Sequence, residues 1–454
     1  MTPSPAESQP SLCRGLSPLG ATTLVAGAVI GSGIYLSPSI VARQVGAPGL
    51  AMGVWLLCGL LALCGALCFA ELGAAIPRTG GTYAFLQRAF HVRWLPFLFG
   101  WSMFAVVLTG VMAAVATAFA TYAGQFLAPH IAYGVWAQRL VAVACIAFLT
   151  LMNVVGVQVG GRVQIVLTFA KIAALAALIG VGLFLPAERA GSLAPLFPPA
   201  VPAGDVLAAF GTAMIVALFA YNGWWYSTFV ADEVRSPQRS IPLSIFAGMS
   251  IVLVVYALAN YVYLRVLPFP ALQQAERPAA EVLLVLVGPG GAAFISGVVM
   301  VSAFGTVNAQ LLSVPRIYFA MARDGLFFRW LERVHPRYRT PAAAILTQGA
   351  WASALALTGT YQQIITYTAF PNYFFLSLGV IALIVLRRRE PELERPFRVP
   401  LYPLTPLLFL VVFGWYFVNS LRNAFADTAV GIALTLSGLP FYCYWSRRHR
   451  AARA

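Results

Sequence analysis

The sequence predicts an all-α polytopic membrane protein. Of its 454 residues, 60% are hydrophobic and only 9% are charged, and the mean hydropathy is +0.81. A soluble globular domain carries about 25% charged residues, so this composition excludes that class. Apolar runs of about 20 residues, the length that crosses ~30 Å of hydrocarbon, recur along the whole chain. We therefore expect a bundle of membrane-spanning helices in contact with lipid.

Twelve apolar runs are long enough to cross the membrane. They cover residues 16–43, 48–76, 94–127, 134–155, 163–185, 205–230, 241–266, 289–321, 341–358, 361–386, 401–421 and 427–446. The third and eighth runs are longer than a perpendicular helix needs, which predicts that they tilt.

The arginines predict the orientation of the chain. If the N-terminus is cytoplasmic, the inner connections, the two termini and the inner end of the eighth run hold 22 of the 28 arginines, including the clusters at 329–339, 387–389 and 447–453. This is the positive-inside pattern. The net charge of +15 therefore requires no nucleic acid and suits an anionic inner leaflet. We expect a disordered cytoplasmic tail at 1–13 and a basic cytoplasmic tail at 447–454.

The cysteines and histidines favour neither disulfides nor a metal site. None of the six cysteines falls in a predicted outer loop, and all four histidines lie outside the spans, three in connections and one in the C-terminal tail. We expect Cys64 and Cys68 to pack in the core, with no metal and no cofactor. The chain contains no Asn-x-Ser/Thr glycosylation site and is rich in alanine and arginine. Both features indicate a bacterial inner (plasma) membrane.

Lys171 is the only lysine of the chain and lies near the middle of the fifth apolar run. An ammonium at the centre of a bilayer costs about 2.5–3.5 kcal/mol, so such a lysine predicts a functional site with a partner. Gln164 and Thr168 fall on the same helical face, which should therefore contact protein. The alternative is a lysine whose flexible stem carries its charge to the membrane interface.

Two of the predicted spans are interrupted by glycine. The first contains GAVIGSGIY and the sixth contains LFAYNGWWYS, and Gly33 and Gly223 are 190 residues apart. This is the separation that an inverted repeat of 14–185 (helices 1–5) and 205–386 (helices 6–10) requires, with helices 11 and 12 following in 400–446. Matched interruptions indicate a binding site at the membrane midplane. For each interruption alone, close helix packing is an alternative explanation.

The interrupted segments suit an α-amino acid. Backbone N–H groups at the start of a half-helix favour a carboxylate, and carbonyls at the end of one accept from an ammonium. The predicted carboxylate-binding residues are Ser32, Gly33 and Ile34, and the predicted amine-binding carbonyls are those of Val29, Ile30, Phe219 and Asn222. No acidic residue lies in either interruption, which favours neutral substrates.

Five stretches occur in order across residues 14–446: GAVIGSGIYLSP, FAELGAAIPRTGGTYAFLQRAF, LFAYNGWWYSTFVADEVRSPQRSIPLSI, SAFGTVNAQLLSVPRIYFAMARDG and RRREPELERPFRVPLYPLTP. They resemble the L-type amino acid transporters of the amino acid, polyamine and organocation superfamily. The resemblance implies a LeuT-type fold of five plus five helices, with helices 1 and 6 unwound at mid-membrane and two C-terminal helices added. It also implies alternating access, and most relatives are sodium-independent exchangers.

The resemblance also implies roles for single residues. It assigns the substrate carboxylate and amine to the same positions of spans 1 and 6, and Phe219 to the aromatic gate. Lys171 matches a lysine whose ammonium replaces a sodium ion, with Ser302 and Thr306 of span 8 as its partners. We expect Trp225, just after the second interruption, to contact the substrate.

Two departures from the family pattern refine these expectations. Animal relatives that pair with a single-span glycoprotein carry a cysteine after span 3, and the corresponding GQFLAPHIAYGVW has none. We therefore expect no disulfide-linked heavy chain. Asn222 stands where many relatives have glycine or aspartate, which favours small or polar neutral substrates such as alanine, serine or cysteine.

Three functional hypotheses follow. The first is a sodium-independent exchanger of neutral amino acids, and the second is a proton-coupled symporter in which Lys171 releases and regains a proton. The third, from another class, is a receptor or channel derived from a transporter. An enzyme would need a nucleophile and a base at membrane depth, and the positions of the histidines offer none.

The acidic residues near the inner face allow two interpretations. Glu71 is either a proton relay or a member of a structural ion pair with the nearby Arg78. Asp232 and Glu233 are expected to pair with Arg235, Arg239 or other inner-loop arginines and to latch the inward gate.

Overall fold

The computed structural model describes residues 12–186, 191–198, 202–358 and 361–451. Within these ranges the chain is helical, and the one strand-like pairing is an isolated parallel bridge between Leu16 and Val234. The predicted all-α class is confirmed. Residues 1–11 of the predicted N-terminal tail and 452–454 of the basic tail lie outside the described residues.

Ten helices form the first half of the described chain. They are α1 (Pro18–Val29), α2 (Gly33–Val45), α3 (Pro48–Ala75), α4 (Thr82–Ala89), α5 (Trp94–Ser102), α6 (Leu108–Leu127), α7 (Val135–Val155), α8 (Val157–Phe184), α9 (Ala203–Ala220) and α10 (Tyr226–Phe229). A π-helical turn, Met103–Val107, joins α5 to α6 within the third predicted span. The length of this apolar run predicted that the span tilts, but nothing in its sequence predicted the π-helical turn.

Ten further helices complete the described bundle. They are α11 (Pro237–Val266), α12 (Phe269–Gln274), α13 (Pro278–Val287), α14 (Pro289–Ser313), α15 (Pro315–Arg323), α16 (Ala342–Thr358), α17 (Tyr361–Arg389), α18 (Leu404–Asn423), α19 (Phe425–Leu436) and α20 (Gly438–Ala451). Many begin with proline in the first turn, where the missing N–H costs nothing. Helices α12 and α13 lie between predicted spans 7 and 8, where sequence reasoning placed only a connection.

Ten helical segments among the described residues are long and apolar enough to cross a membrane. They are Pro18–Val45, Pro48–Ala75, Trp94–Leu127, Val135–Val155, Val157–Phe184, Pro237–Val266, Pro289–Arg323, Tyr367–Arg389, Leu404–Asn423 and Phe425–Arg447. The remaining predicted spans, 205–230 and 341–358, overlap the shorter helices α9 and α16. The polytopic class is confirmed, and the count of twelve stays a prediction.

The first span lies at the centre of the bundle. In its most apolar window 89% of residues are buried, against 17% for the last span, Phe425–Arg447. Helix α1 packs against α8, α11 and α14, and α2 packs against α9. A residue on α1 can therefore be reached from several helices at once, which is the condition for building a site around it.

Candidate functional site

Two helices are interrupted near the centre of the bundle. Helix α1 ends at Val29 and α2 begins at Gly33, while α9 ends at Ala220 and α10 begins at Tyr226. Each interruption ends one run of intrahelical hydrogen bonds and starts another, so it leaves free carbonyls on one side and free N–H groups on the other. These are the segments in which the sequence predicted binding groups.

The two interruptions touch through small residues. A Cβ added to Gly33 would lie 2.8 Å from Ala220 Cβ, closer than real Cβ contacts allow. Gly223 has a φ of +115°, which L side chains rarely adopt, and an added Cβ would lie 3.1 Å from Ala28 Cβ. The close approach of the two backbone segments therefore requires small residues where the two interruptions meet.

The ammonium of Lys171 binds the end of α1. It donates to the carbonyl oxygens of Gly27 and Ile30, both at 2.8 Å, and to Thr306 Oγ1 at 3.1 Å. Ser302 Oγ donates to the same Ile30 oxygen at 3.0 Å. The lysine is fully buried, so its charge does not reach the lipid interface. The structure thus brings the predicted lysine, its two predicted span 8 partners and the first interruption together.

The carbonyls that receive this ammonium have no partner inside the helix. The amide of Gly31 turns away from Gly27 and donates instead to Val29 O at 2.7 Å. Gly27 O and Ile30 O are therefore orphan acceptors at the negative end of the α1 dipole, where a cation is stabilised. All three protons of the Lys171 ammonium have an acceptor, so the hydrogen-bonding capacity of this buried cation is satisfied.

A ladder of buried amide and hydroxyl groups extends the contact along α1. Thr168 Oγ1 donates to Thr23 O at 3.0 Å, and Gln164 Nε2 reaches the same oxygen at 3.4 Å. Asn308 Nδ2 of α14 donates to Gln164 Oε1 at 2.8 Å. The polar face of α8 predicted from the sequence is therefore the face that holds α1, with Lys171 at one end.

Tyr256 of α11 lies between the two interrupted helices. Its hydroxyl is 2.8 Å from Val29 O and 3.2 Å from Ala220 O, the last residues of α1 and α9. The single hydroxyl proton is shared between the two carbonyls. Sequence reasoning missed this residue, because a tyrosine in an apolar helix is most often core.

A cavity of about 30 Å³ lies between the interruptions. It is lined by Ala28, Val29, Gly31, Ser32, Gly33, Val111, Val115, Phe219, Ala220, Asn222, Tyr226, Thr306 and Gln310. Ile34 and Trp225 do not line it, whereas Tyr226 and Gln310, neither of which was among the predicted site residues, do. The volume matches about one water molecule, so binding of anything larger requires the lining to move.

The predicted anion-binding and cation-binding groups have different surroundings. Ser32 precedes α2, and as the first residues of that half-helix Gly33 and Ile34 have N–H groups without intrahelical acceptors. Both lone pairs of Ile30 O are engaged by Lys171 and Ser302. That oxygen has no lone pair left for a ligand.

Val29 O is likewise engaged, since it accepts from Gly31 N and from Tyr256. At the second interruption, Phe219 O accepts from Asn222 N at 3.1 Å. Among the predicted carbonyls, those of Phe219 and Asn222 therefore remain the more accessible acceptors. The roles of all these residues stay predictions.

Glu71 forms an ion pair, but not with the predicted partner. Its carboxylate binds Arg387 in a bidentate arrangement at 2.8 and 2.5 Å, lies 3.5 Å from Arg395 Nε, and accepts from Val399 N. The prediction that Arg78 is the partner of Glu71 was wrong, because helix α17 and the loop after it bring distant arginines to α3. With its carboxylate so occupied, Glu71 joins α3 to α17.

Glu233 pairs with Arg316, and both side chains are fully buried. The expected partners Arg235 and Arg239 are nearer in sequence, but Arg316 Nε and Nη2 donate to the two carboxylate oxygens at 2.8 and 3.1 Å. Asp232 instead accepts from Thr79 N at 3.2 Å. The sequence missed Arg316 because it falls within predicted span 8.

Helix α4 is attached to the same end of the bundle. The Tyr83 hydroxyl and Gln87 Nε2 both donate to Asp324 Oδ2 at 3.0 Å. Burial, together with the negative charge of Asp324, raises the pKa of Tyr83 well above its usual value. The tyrosine is thus held neutral as a donor. Among the described residues, no group of three or more histidine, cysteine or acidic side chains could hold a metal.

The chain matches the family model described as amino acid permease over residues 16–438. The chain belongs to the amino acid permease family. It is a multi-pass membrane transporter of amino acids and not an enzyme, and the predicted resemblance to L-type transporters is confirmed by its relatives.

Three relatives of this permease illustrate the similarity. The serine/threonine exchanger SteT of Bacillus subtilis (strain 168) is 32% identical over 439 residues, or 96% of this chain and 97% of the relative. The Asc-type amino acid transporter 1 of Homo sapiens is 32% identical over 435 residues, or 93% and 80% of the two chains. The large neutral amino acids transporter small subunit 2 of Mus musculus is 32% identical over 444 residues, or 95% and 81%.

Proposed function

We propose that this permease is a sodium-independent exchanger of small neutral L-amino acids that works by alternating access. The observation that carries the proposal is the position of Lys171 Nζ, 2.8 Å from Gly27 O and Ile30 O and 3.1 Å from Thr306 Oγ1. An ammonium on these oxygens repels a second cation and occupies the ligands that a sodium ion would need. The transporter then has no sodium gradient to use.

The substrate binds between the two interruptions. Its carboxylate accepts from the N–H groups of Ser32, Gly33 and Ile34, and its ammonium donates to the carbonyls of Phe219 and Asn222. The partly buried Phe219 lines the cavity and acts as the gate. Trp225 does not line the cavity but packs against Trp224 and Tyr226, and it supports this gate.

The small cavity supports small substrates. Val111 and Val115 of α6 also line it, and their branched side chains take up space that an aromatic substrate side chain would need. The name of the Bacillus relative, a serine/threonine exchanger, is consistent with substrates of this size. Alanine, serine, threonine and cysteine are the substrates proposed.

The proposed topology contains twelve membrane-spanning helices. Residues 14–185 and 205–386 form the inverted repeat, with unwound segments in helices 1 and 6, and residues 400–446 form the added pair. The arginine distribution supports cytoplasmic termini in a bacterial inner (plasma) membrane. No disulfide-linked heavy chain takes part.

Proteoliposomes test the mechanism. Uptake of radiolabelled serine should require an internal amino acid and should not change when external sodium is replaced by potassium. Accumulation in vesicles without internal amino acid, under an inward proton gradient, would instead establish the symporter. A flux that does not saturate with serine concentration would indicate a channel.

Competition tests the substrate range. Unlabelled alanine and serine should inhibit uptake at lower concentration than leucine or phenylalanine. If leucine competes better than alanine, the preference for small side chains is wrong while the exchange mechanism can still hold.

A further inference from the structure

Two side-chain amides in the cavity lining contain oxygens without a partner. Gln310 of α14 is 1% exposed, and its Oε1 has no hydrogen-bond partner among the described residues. Asn222 Oδ1, in the second interruption, is likewise buried and unpartnered. Buried polar atoms in native proteins are nearly always satisfied, because an unmade hydrogen bond is costly. Two such oxygens beside one cavity point to a ligand that satisfies them.

The other polar groups of the lining are already engaged. Thr306 accepts from Lys171 and donates within the same cluster. Under the proposed function, Ser32 belongs to the carboxylate-binding end. The Tyr226 hydroxyl is hydrogen-bonded to the side-chain amide of Gln310, whose Oε1 is left without a partner. The amides of Gln310 and Asn222 are therefore the groups left to meet a substrate side chain.

The remaining walls are apolar. Val111, Val115 and Phe219 line the cavity together with the two amides. A side chain entering this space therefore meets both hydrocarbon and amide groups. A short side chain with one polar group suits both, whereas a purely apolar one leaves the amide oxygens unpaired.

We propose that Gln310, assisted by Asn222, selects substrates whose side chain contains a hydrogen-bond donor. A serine or threonine hydroxyl donates to the free amide oxygen and can accept from an amide N–H. An isosteric apolar side chain offers neither group. This inference rests on the proposed function and adds to it a chemical criterion for the side chain: hydroxyl-bearing amino acids over apolar ones of equal size.

Two isosteric pairs test the inference in the wild-type permease. Serine differs from 2-aminobutyrate, and threonine from valine, by a hydroxyl in place of a methyl group. We expect serine and threonine to inhibit radiolabelled serine uptake at about tenfold lower concentration than their apolar isosteres, the effect of one lost hydrogen bond at a polar site. Equal inhibition within each pair would overturn the inference. If the permease transports none of the four, the proposed function itself fails.

The substitution Gln310→Met tests the residue, because it keeps the length of the side chain and removes the amide. Serine uptake should fall about tenfold while 2-aminobutyrate uptake is retained, so that the preference is lost. Retention of the wild-type preference by this variant would refute the role of Gln310. If the variant transports neither amino acid and unfolds at a lower temperature, it has lost its fold. The inference is then tested by the inhibition measured with the two isosteric pairs in the wild-type permease.

Gln348 supplies a matched control. It is a fully buried glutamine of α16 whose two amide atoms also lack partners, but it does not line the cavity. Gln348→Met removes the same chemical group from another part of the core. It should leave the ratio between serine and 2-aminobutyrate uptake unchanged, and a matching loss of preference would assign the effect to general core packing.

Discussion

Lys171 Nζ lies 2.8 Å from Ile30 O, at the point where α1 ends. The same oxygen accepts from Ser302 of α14, so one carbonyl connects three helices. A hydrogen bond from a charged donor contributes about 1.5–3 kcal/mol, and the low dielectric of the core makes its loss more costly. The end of α1 therefore depends on a positive charge at this position.

Replacement of the lysine should abolish transport. In Lys171→Met the orphan carbonyls of Gly27 and Ile30 lose their donor, and we expect serine exchange in proteoliposomes to fall by more than tenfold. Arginine should not restore it, because its planar fork differs in shape from an ammonium. Phe169→Leu is the control, since Phe169 lies on the same helix with 54% of its surface exposed. Wild-type exchange by Lys171→Met would contradict the site.

The hydroxyl of Tyr256 can be removed without loss of the ring. Tyr256→Phe eliminates the donor shared by Val29 O and Ala220 O. A typical hydrogen bond contributes about 0.5–1.5 kcal/mol, so exchange should fall roughly two- to tenfold. Tyr261→Phe on the same helix, where the side chain is 37% exposed, should have no effect. Equal rates for the two variants would show that the hydroxyl does not position the interrupted helices.

The stability contributions of a buried ion pair and an exposed ion pair can be compared by breaking each in turn. Glu71→Gln breaks a pair in which the glutamate is fully buried, and we expect a loss of about 3 kcal/mol in the free energy of unfolding. Glu390→Gln breaks the exposed pair with Arg88 and should cost less than about 1 kcal/mol. Thermal unfolding in detergent measures both. A smaller loss for Glu71→Gln than for Glu390→Gln would be inconsistent with the role of Glu71 in joining α3 to α17.

The contact between Tyr83 and Asp324 should depend on alkaline pH. The pKa of Tyr83 is higher in the folded protein than the value of about 10 expected when unfolded. Its contribution to stability is therefore complete below pH ~10 and is lost as the pH rises through the folded pKa. Wild type should unfold at a higher temperature than Tyr83→Phe at pH 8, and the difference should shrink above pH 10. A constant difference across this range would exclude titration of Tyr83.

Much of the fold follows from the sequence, because a bilayer requires long apolar helices and lysine is costly within them. The face shared by Gln164, Thr168 and Lys171 was predicted by helical periodicity, and it holds α1. The glycine-rich interruptions coincide with the ends of α1 and α9. These features depend on local pattern, which a sequence displays directly.

Other features depend on which helices meet, and local pattern does not reveal that. The pairing of Glu233 with Arg316 joins residues 83 positions apart, and that of Glu71 with Arg387 joins residues 316 apart. Tyr256 and Gln310 resemble many other residues of apolar helices until the cavity is seen. Helices α12 and α13 were missed because they are too short to cross a bilayer.

The contact between Gly33 and Ala220 limits which features of substrate specificity can be changed by mutation. The two interrupted segments meet there with almost no side chain between them. Under the proposed function, backbone N–H and carbonyl groups bind the carboxylate and ammonium of the substrate, and most side-chain substitutions leave those groups in place. We therefore expect N-methylated or esterified amino acids to be poor substrates of the wild type and of side-chain variants alike, whereas substitutions in α6 and α14 should change which substrate side chains are accepted.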